Sequence, residues 1–110
     1  MLHECIIFLI DDLTEIESTF EAAKKGREFN FVIDIQPFTE RIDAHLTELM
    51  QYEETITALR LMNPLKLELL VSHIRELSVS CFFDRTSKKM FIDQFKAARH
   101  DLHYIERQTK

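Results

Sequence analysis

The chain has 110 residues, of which 30% are charged and 45% apolar, with 19 acids, 14 bases and a formal net charge of −5. One Gly and two Pro leave too little turn material for an all-β protein, which needs a turn signal about every 10 residues. No apolar run reaches the ~18 residues that span a bilayer, so a single domain over residues 1–110 built around one core is expected.

The first block reads Leu2, Ile6, Leu9, Leu13, Ile16, Phe20, Ala23. Alternating steps of four and three put every member on one stripe of an α-helix. The spacing predicts a helix over 2–25 that stops at Gly26, the one residue that adopts a left-handed conformation without steric cost. Lys24 and Lys25 occupy its last turn, where the helix dipole favours cations. Cys5 to Ile10 is too short, and lacks the basic flank, to be a signal peptide, so a cytoplasmic location is expected. Asp11, Asp12 and Glu15 read as acids on the solvated outer side of this helix.

The second block, Phe31, Ile35, Phe38, Ile42, Leu46, Leu49, Ile56, Leu59, keeps one phase across Pro37. Either a helix starts near Phe31 and kinks at the proline, or Asp34 caps a start near Ile35. The unbroken phase favours a continuous, kinked helix. Asn63-Pro64 is a helix start, because Asn accepts an orphan backbone N–H and Pro at the first position has none to lose. A third helix over 64–83 follows, with Leu67, Leu70, Val71, Ile74, Leu77 and Cys81 as its stripe. Ser87 caps a fourth, whose stripe is Phe91, Phe95, Ala98, Leu102 and Ile105, with fraying expected over 107–110.

Four helices joined by connections of roughly 3 to 5 residues return on themselves. The expected fold is all-α, an antiparallel up-down-up-down four-helix bundle. In that topology the end of helix 1, the start of helix 2, the end of helix 3 and the start of helix 4 meet at one pole. Eight of the nine phenylalanines fall there, Phe8 being the exception. Lys24, Lys25, Arg27, Arg85, Lys88 and Lys89 gather at the same end. Lys88 and Lys89 face the positive end of their own helix dipole, a local penalty of up to about 1 kcal/mol each. Residues 1–60 carry 13 acids against 5 bases, whereas residues 85–110 carry 3 against 7, so the C-terminal helix is the basic one.

Tests for chemistry remove most enzyme classes. One glycine cannot build a phosphate loop, and no Ser or Cys sits on a glycine elbow. Cys5 and Cys81, at opposite poles, form neither a disulfide nor a zinc site and read as small buried apolar residues. The paired Glu-x-x-His motif of di-metal bundles is absent. His100 and His103 point away from their stripe. His45 lies near the core with Glu48 one turn on, so His45, Glu48 and His73 are the residues through which a metal-binding bundle would work.

These readings lead to a non-enzymatic interaction module without a cofactor. Its partner site comprises Arg85, Lys88, Lys89, Phe82, Phe83 and Phe29, facing an acidic protein partner. Nucleic acid is disfavoured, no membrane role is expected, and the stripes allow a monomer or a homodimer.

Phe31, Ile35 and Pro37, Asn63-Pro64, Ser80-Cys81-Phe82-Phe83 and Lys88-Lys89-Met90-Phe91 carry a family resemblance. From Phe29 onward the chain resembles the YppE-like family of small uncharacterised helical-bundle proteins of Gram-positive bacteria. The resemblance implies a cytoplasmic four-helix bundle and supplies no catalytic residues.

Overall fold

The computed structural model describes residues 1–110. It is all-α, with no strand: α1 Leu2–Lys24, a π-helical turn Phe31–Ile35, α2 Gln36–Met50, α3 Glu53–Thr57, α4 Pro64–Ser80 and α5 Lys88–Thr109. The globule measures 42 × 27 × 21 Å. Both α1 and α4 pack against α2 and α5, and α3 leans on α4. A single cluster of 26 buried residues lies between them.

Helix α1 follows its stripe, and all seven predicted members are buried. It closes as a Schellman motif: Gly26 has φ +100°, its N–H bonds Ala23 O, and the Arg27 N–H bonds Ala22 O, both at 3.0 Å.

The second block departs from a continuous, kinked α-helix. The cap is Asn30, whose side chain accepts from the Val32 and Ile33 N–H groups, each at 2.9 Å. Asp34 reaches back to accept from the Asn30 N–H at 2.9 Å. Between them the chain makes one wide turn, with Ile35 N–H bonded to Asn30 O at 3.1 Å. Pro37 therefore enters in the first turn of α2, where its missing N–H costs little. The wide turn also shifts the helical phase, so Phe31, expected on the buried stripe, is 65% exposed, and Val32 and Ile33 are exposed beside it.

Helix α2 then stops at Met50 rather than continuing to Leu59. Gln51 and Tyr52 bond to the carbonyls three residues back, tightening the last turn. No aliphatic residue holds the seam between Leu49 and Ile56, although Ile56 returns to the core through α3.

Helix α4 starts as the sequence predicts, with Asn63 Oδ1 accepting from the Lys66 N–H at 2.8 Å. It ends at Ser80 rather than Phe83. The Thr86 hydroxyl donates to Ser80 O at 2.8 Å, and Lys24 Nζ donates to the carbonyls of Asp84 and Thr86 at 2.5 and 2.7 Å. A cation from the end of α1 thus fixes the loop before α5. Ser87 caps α5 by accepting from the Met90 N–H at 3.4 Å. The helix holds its geometry to Thr109 instead of fraying from 107, because Thr109 Oγ1 bonds Ile105 O at 2.9 Å and meets His3 Nδ1 at 3.3 Å. No helix is long and apolar enough to cross a membrane.

Candidate functional site

The phenylalanines form two groups. Phe20 of α1 stacks on Phe91 of α5 with centroids 3.8 Å apart and planes 6° apart, and Phe95 continues the row 6.0 Å from Phe91. Phe82, just past α4, takes Phe29 and Phe38 edge-on at 5.0 and 5.3 Å. Such edge-to-face pairs contribute about 0.5–1.5 kcal/mol beyond their burial.

The six residues expected to contact a partner do not form one patch. Phe82 is only 7% exposed; it belongs to the core rather than to a contact surface, because Phe29 and Phe38 cover it. Phe29 is half-buried, with the Arg27 guanidinium 4.7 Å from its ring centre. Phe83 is 37% exposed and carries the Arg85 guanidinium at 5.4 Å. These two line a groove of about 660 Å³ between α4 and α5, together with the exposed side chains of Val79 and Met90. Lys88 faces a different cleft, between α1 and α5. Lys89 reaches Asp93, one turn along its own helix, at 3.5 Å. Asp93 is thus the acid that offsets Lys89 at the positive end of the dipole, weakly because both groups are exposed.

A polar cluster built on Asp12, an acid expected on the solvated side of α1, lies between α1 and α2. Asp12 is 3% exposed, not on an outer face. Its Oδ2 accepts from His45 Nδ1 at 2.5 Å, and its Oδ1 accepts from Arg41 at 3.4 Å. Arg41 also binds Glu15, and the Phe8 ring lies 5.5 Å from the His45 ring at 15°. Burial pushes the Asp12 carboxyl above its ordinary value, while the hydrogen bond and charge of His45 and the charge of Arg41 oppose that shift. The signal was present in the spacing. Cys5 and Asp12 stand at steps of four, three and four with Leu9 and Ile16 of the main stripe, and all four are buried.

This cluster also changes the reading of His45. Its carboxylate partner is Asp12, from another helix, rather than Glu48. His73 is half-buried and joins neither residue. No group of three or more His, Cys, Asp or Glu side chains is placed to hold a metal ion. Cys5 Sγ donates to His45 O at 3.4 Å, and both cysteines are free and buried. Burial raises their thiols to about 11 for Cys5 and about 12 for Cys81.

Comparison with known proteins places this architecture. Residues 6–109 match the family described as a bacterial domain of unknown function, DUF1798. A solved DUF1798 structure from Staphylococcus aureus is 34% identical, with a TM-score of 0.92 over 96% of this chain and 93% of that one. Protein yppE from Bacillus subtilis shares the fold at 17% identity, with a TM-score of 0.88 over 99% and 95% of the two chains. A protein from Listeria innocua does so at 16% identity, with a TM-score of 0.87 over 96% and 88%. No curated protein matches the chain. With the family pattern running from residue 6 to 109 and a 34% identical member superimposing along nearly its whole length, the chain belongs to the DUF1798 family.

Proposed function

We propose that this chain is a non-enzymatic interaction module of the cytoplasm that docks an acidic segment of a protein partner. In this reading α1, α2 with α3, α4 and α5 run up, down, up and down as an antiparallel four-helix bundle. The ring contacts support that course. Phe20 near the end of α1 meets Phe91 near the start of α5, and Phe38 at the start of α2 meets Phe82 after α4.

One observation carries the functional part: Val79, Phe83 and Met90 expose apolar surface along one groove while Arg85 lies against Phe83 at its edge. Exposed apolar surface rimmed by cations suits a segment with an apolar anchor and flanking carboxylates. Of the side chains lining that groove, Glu76 alone is acidic, and it is engaged by Gln94 at 2.6 Å. Lys88 and Lys89 extend the positive field around the same end of α5 and speed encounter more than they hold the complex.

The test is capture of partners from the native cytoplasm with the parent chain, with Arg85→Glu and with the double change Lys88→Glu, Lys89→Glu. Loss of the acidic partner with Arg85→Glu, and weaker capture of the same partner with the double lysine change, are expected. An unchanged set of partners would rule the reading out.

A further inference from the structure

We infer that the cleft between α1 and α5 is a binding site for a small aromatic carboxylate. This cleft shares only Phe91 with the α4–α5 groove and measures about 530 Å³, within the roughly 300–1,000 Å³ range of small-molecule sites.

Its floor is the row of Phe20, Phe91 and Phe95, whose planes are within 10° of one another at each step. Phe20 and Phe91 cover each other's inner faces, and Phe95 lies beyond Phe91 in a nearly parallel plane. At the two ends, Lys24 Nζ lies 5.2 Å from the Phe20 centroid and the Arg99 guanidinium 5.3 Å from that of Phe95. Phe20, Phe91 and Phe95 are only 5%, 3% and 5% exposed, so what the row leaves for a ligand is a narrow strip of ring edge. An aromatic edge is the positive part of the ring quadrupole and prefers to meet the face of another ring. A flat aromatic body therefore suits this floor better than an aliphatic chain of the same size.

The walls select the charge. Lys24, Lys25, Lys88, Lys96 and Arg99 line the cleft against two acids, Glu17 and Glu21. None of these seven groups is in an ion pair. Lys24 is already held by two backbone carbonyls. On the α5 wall Lys96 and Arg99 are exposed and carry no hydrogen bond. Arg99 is the natural seat for the carboxylate, because its planar fork offers two parallel N–H donors. From there the ring of the ligand extends over Phe95 and Phe91 toward Lys88, about 16 Å along α5. Both acids stand on the α1 wall, so the anionic head is held to the α5 side.

Calorimetric titration of the whole chain with 2-naphthoate tests the site, with 2-naphthalenemethanol as the uncharged body. One saturable site for the carboxylate is expected. Binding should weaken about tenfold or more for the alcohol and for the variant Lys96→Gln with Arg99→Gln, the effect of losing a charge-assisted pair. Arg85→Gln, in the other groove, should leave it unchanged. Because residues 96 and 99 are exposed, the double variant keeps the fold, which far-UV circular dichroism verifies. The inference is overturned by absence of saturable binding up to about 1 mM, by equal affinity for acid and alcohol, or by an undiminished affinity in the double variant. Weakening by Arg85→Gln alone would also overturn it, by moving the anion to the α4–α5 groove.

Discussion

His45 Nδ1 lies 2.5 Å from Asp12 Oδ2, and this contact ties α2 to α1 through the one carboxylate buried in the core. A carboxylate this far from water is tolerated because hydrogen bonds from His45 and Arg41 take the place of water around it. The pair therefore acts on stability as a unit.

Replacing His45 with Ala leaves Asp12 in the core with Arg41 as its remaining partner and removes the ring beside Phe8. A loss of about 1–3 kcal/mol is expected. The double change Asp12→Ala, His45→Ala should cost less than the sum of the two single changes, because each single change strands half of the pair. Urea denaturation of the four proteins measures the coupling, and additive losses would show that the contact contributes nothing as a pair.

The same carboxyl gives a pH dependence of defined sign. Its folded-state value lies above the ordinary 3.8, chiefly through burial. The folded chain then holds this proton more tightly than the unfolded chain does. The contribution of Asp12 to stability is complete below the unfolded value and is lost as pH rises through the folded one. Asp12→Asn lacks that loss. Over the interval from the ordinary value of 3.8 up through the folded-state value, the stability of Asp12→Asn relative to the parent should rise. Denaturation midpoints at both ends of the interval would show it, and a variant that loses ground with rising pH contradicts the assignment.

Two asparagine caps should differ in weight. Asn63 satisfies one backbone N–H, whereas Asn30 satisfies two and receives Asp34 on its own N–H. Asn63→Ala is expected to cost about 1 kcal/mol, and Asn30→Ala up to about 2 kcal/mol. Hydrogen exchange provides the local measure: the Val32 and Ile33 amides should lose protection in Asn30→Ala and keep it in Asn63→Ala.

The cysteines should be inert in the folded chain. With thiols raised to about 11 and about 12 by burial, little thiolate exists at neutral pH and neither sulfur is exposed. A disulfide-exchange reagent should titrate both thiols in urea and react far more slowly in native buffer. Fast native reaction of Cys5 would mean that the Asp12 side of α1 opens.

The one-dimensional pattern determined where helices form and which stripe each one buries. Leu2 to Ala23, Leu67 to Cys81 and Phe91 to Ile105 all follow helical spacing into the core, because apolar periodicity is a local property that burial rewards directly. Gly26, Asn63 and Ser87 marked their boundaries for the same reason, since each solves a backbone problem within its own few residues. What only the tertiary structure decided were matters of partnership across the chain. Asp12 looked like one of three surface acids until α2 brought His45 and Arg41 onto it. Phe82 and Phe83, adjacent in sequence, were separated into core and surface by Phe29 and Phe38, which close over the first of them. Lys88 and Arg85 came to line two different clefts because Phe91 of α5 stacks on Phe20 of α1, while Arg85, in the loop before α5, lies against Phe83 just past α4. A side chain's polarity states what it requires, but which distant group meets that requirement depends on helix packing that no local spacing encodes.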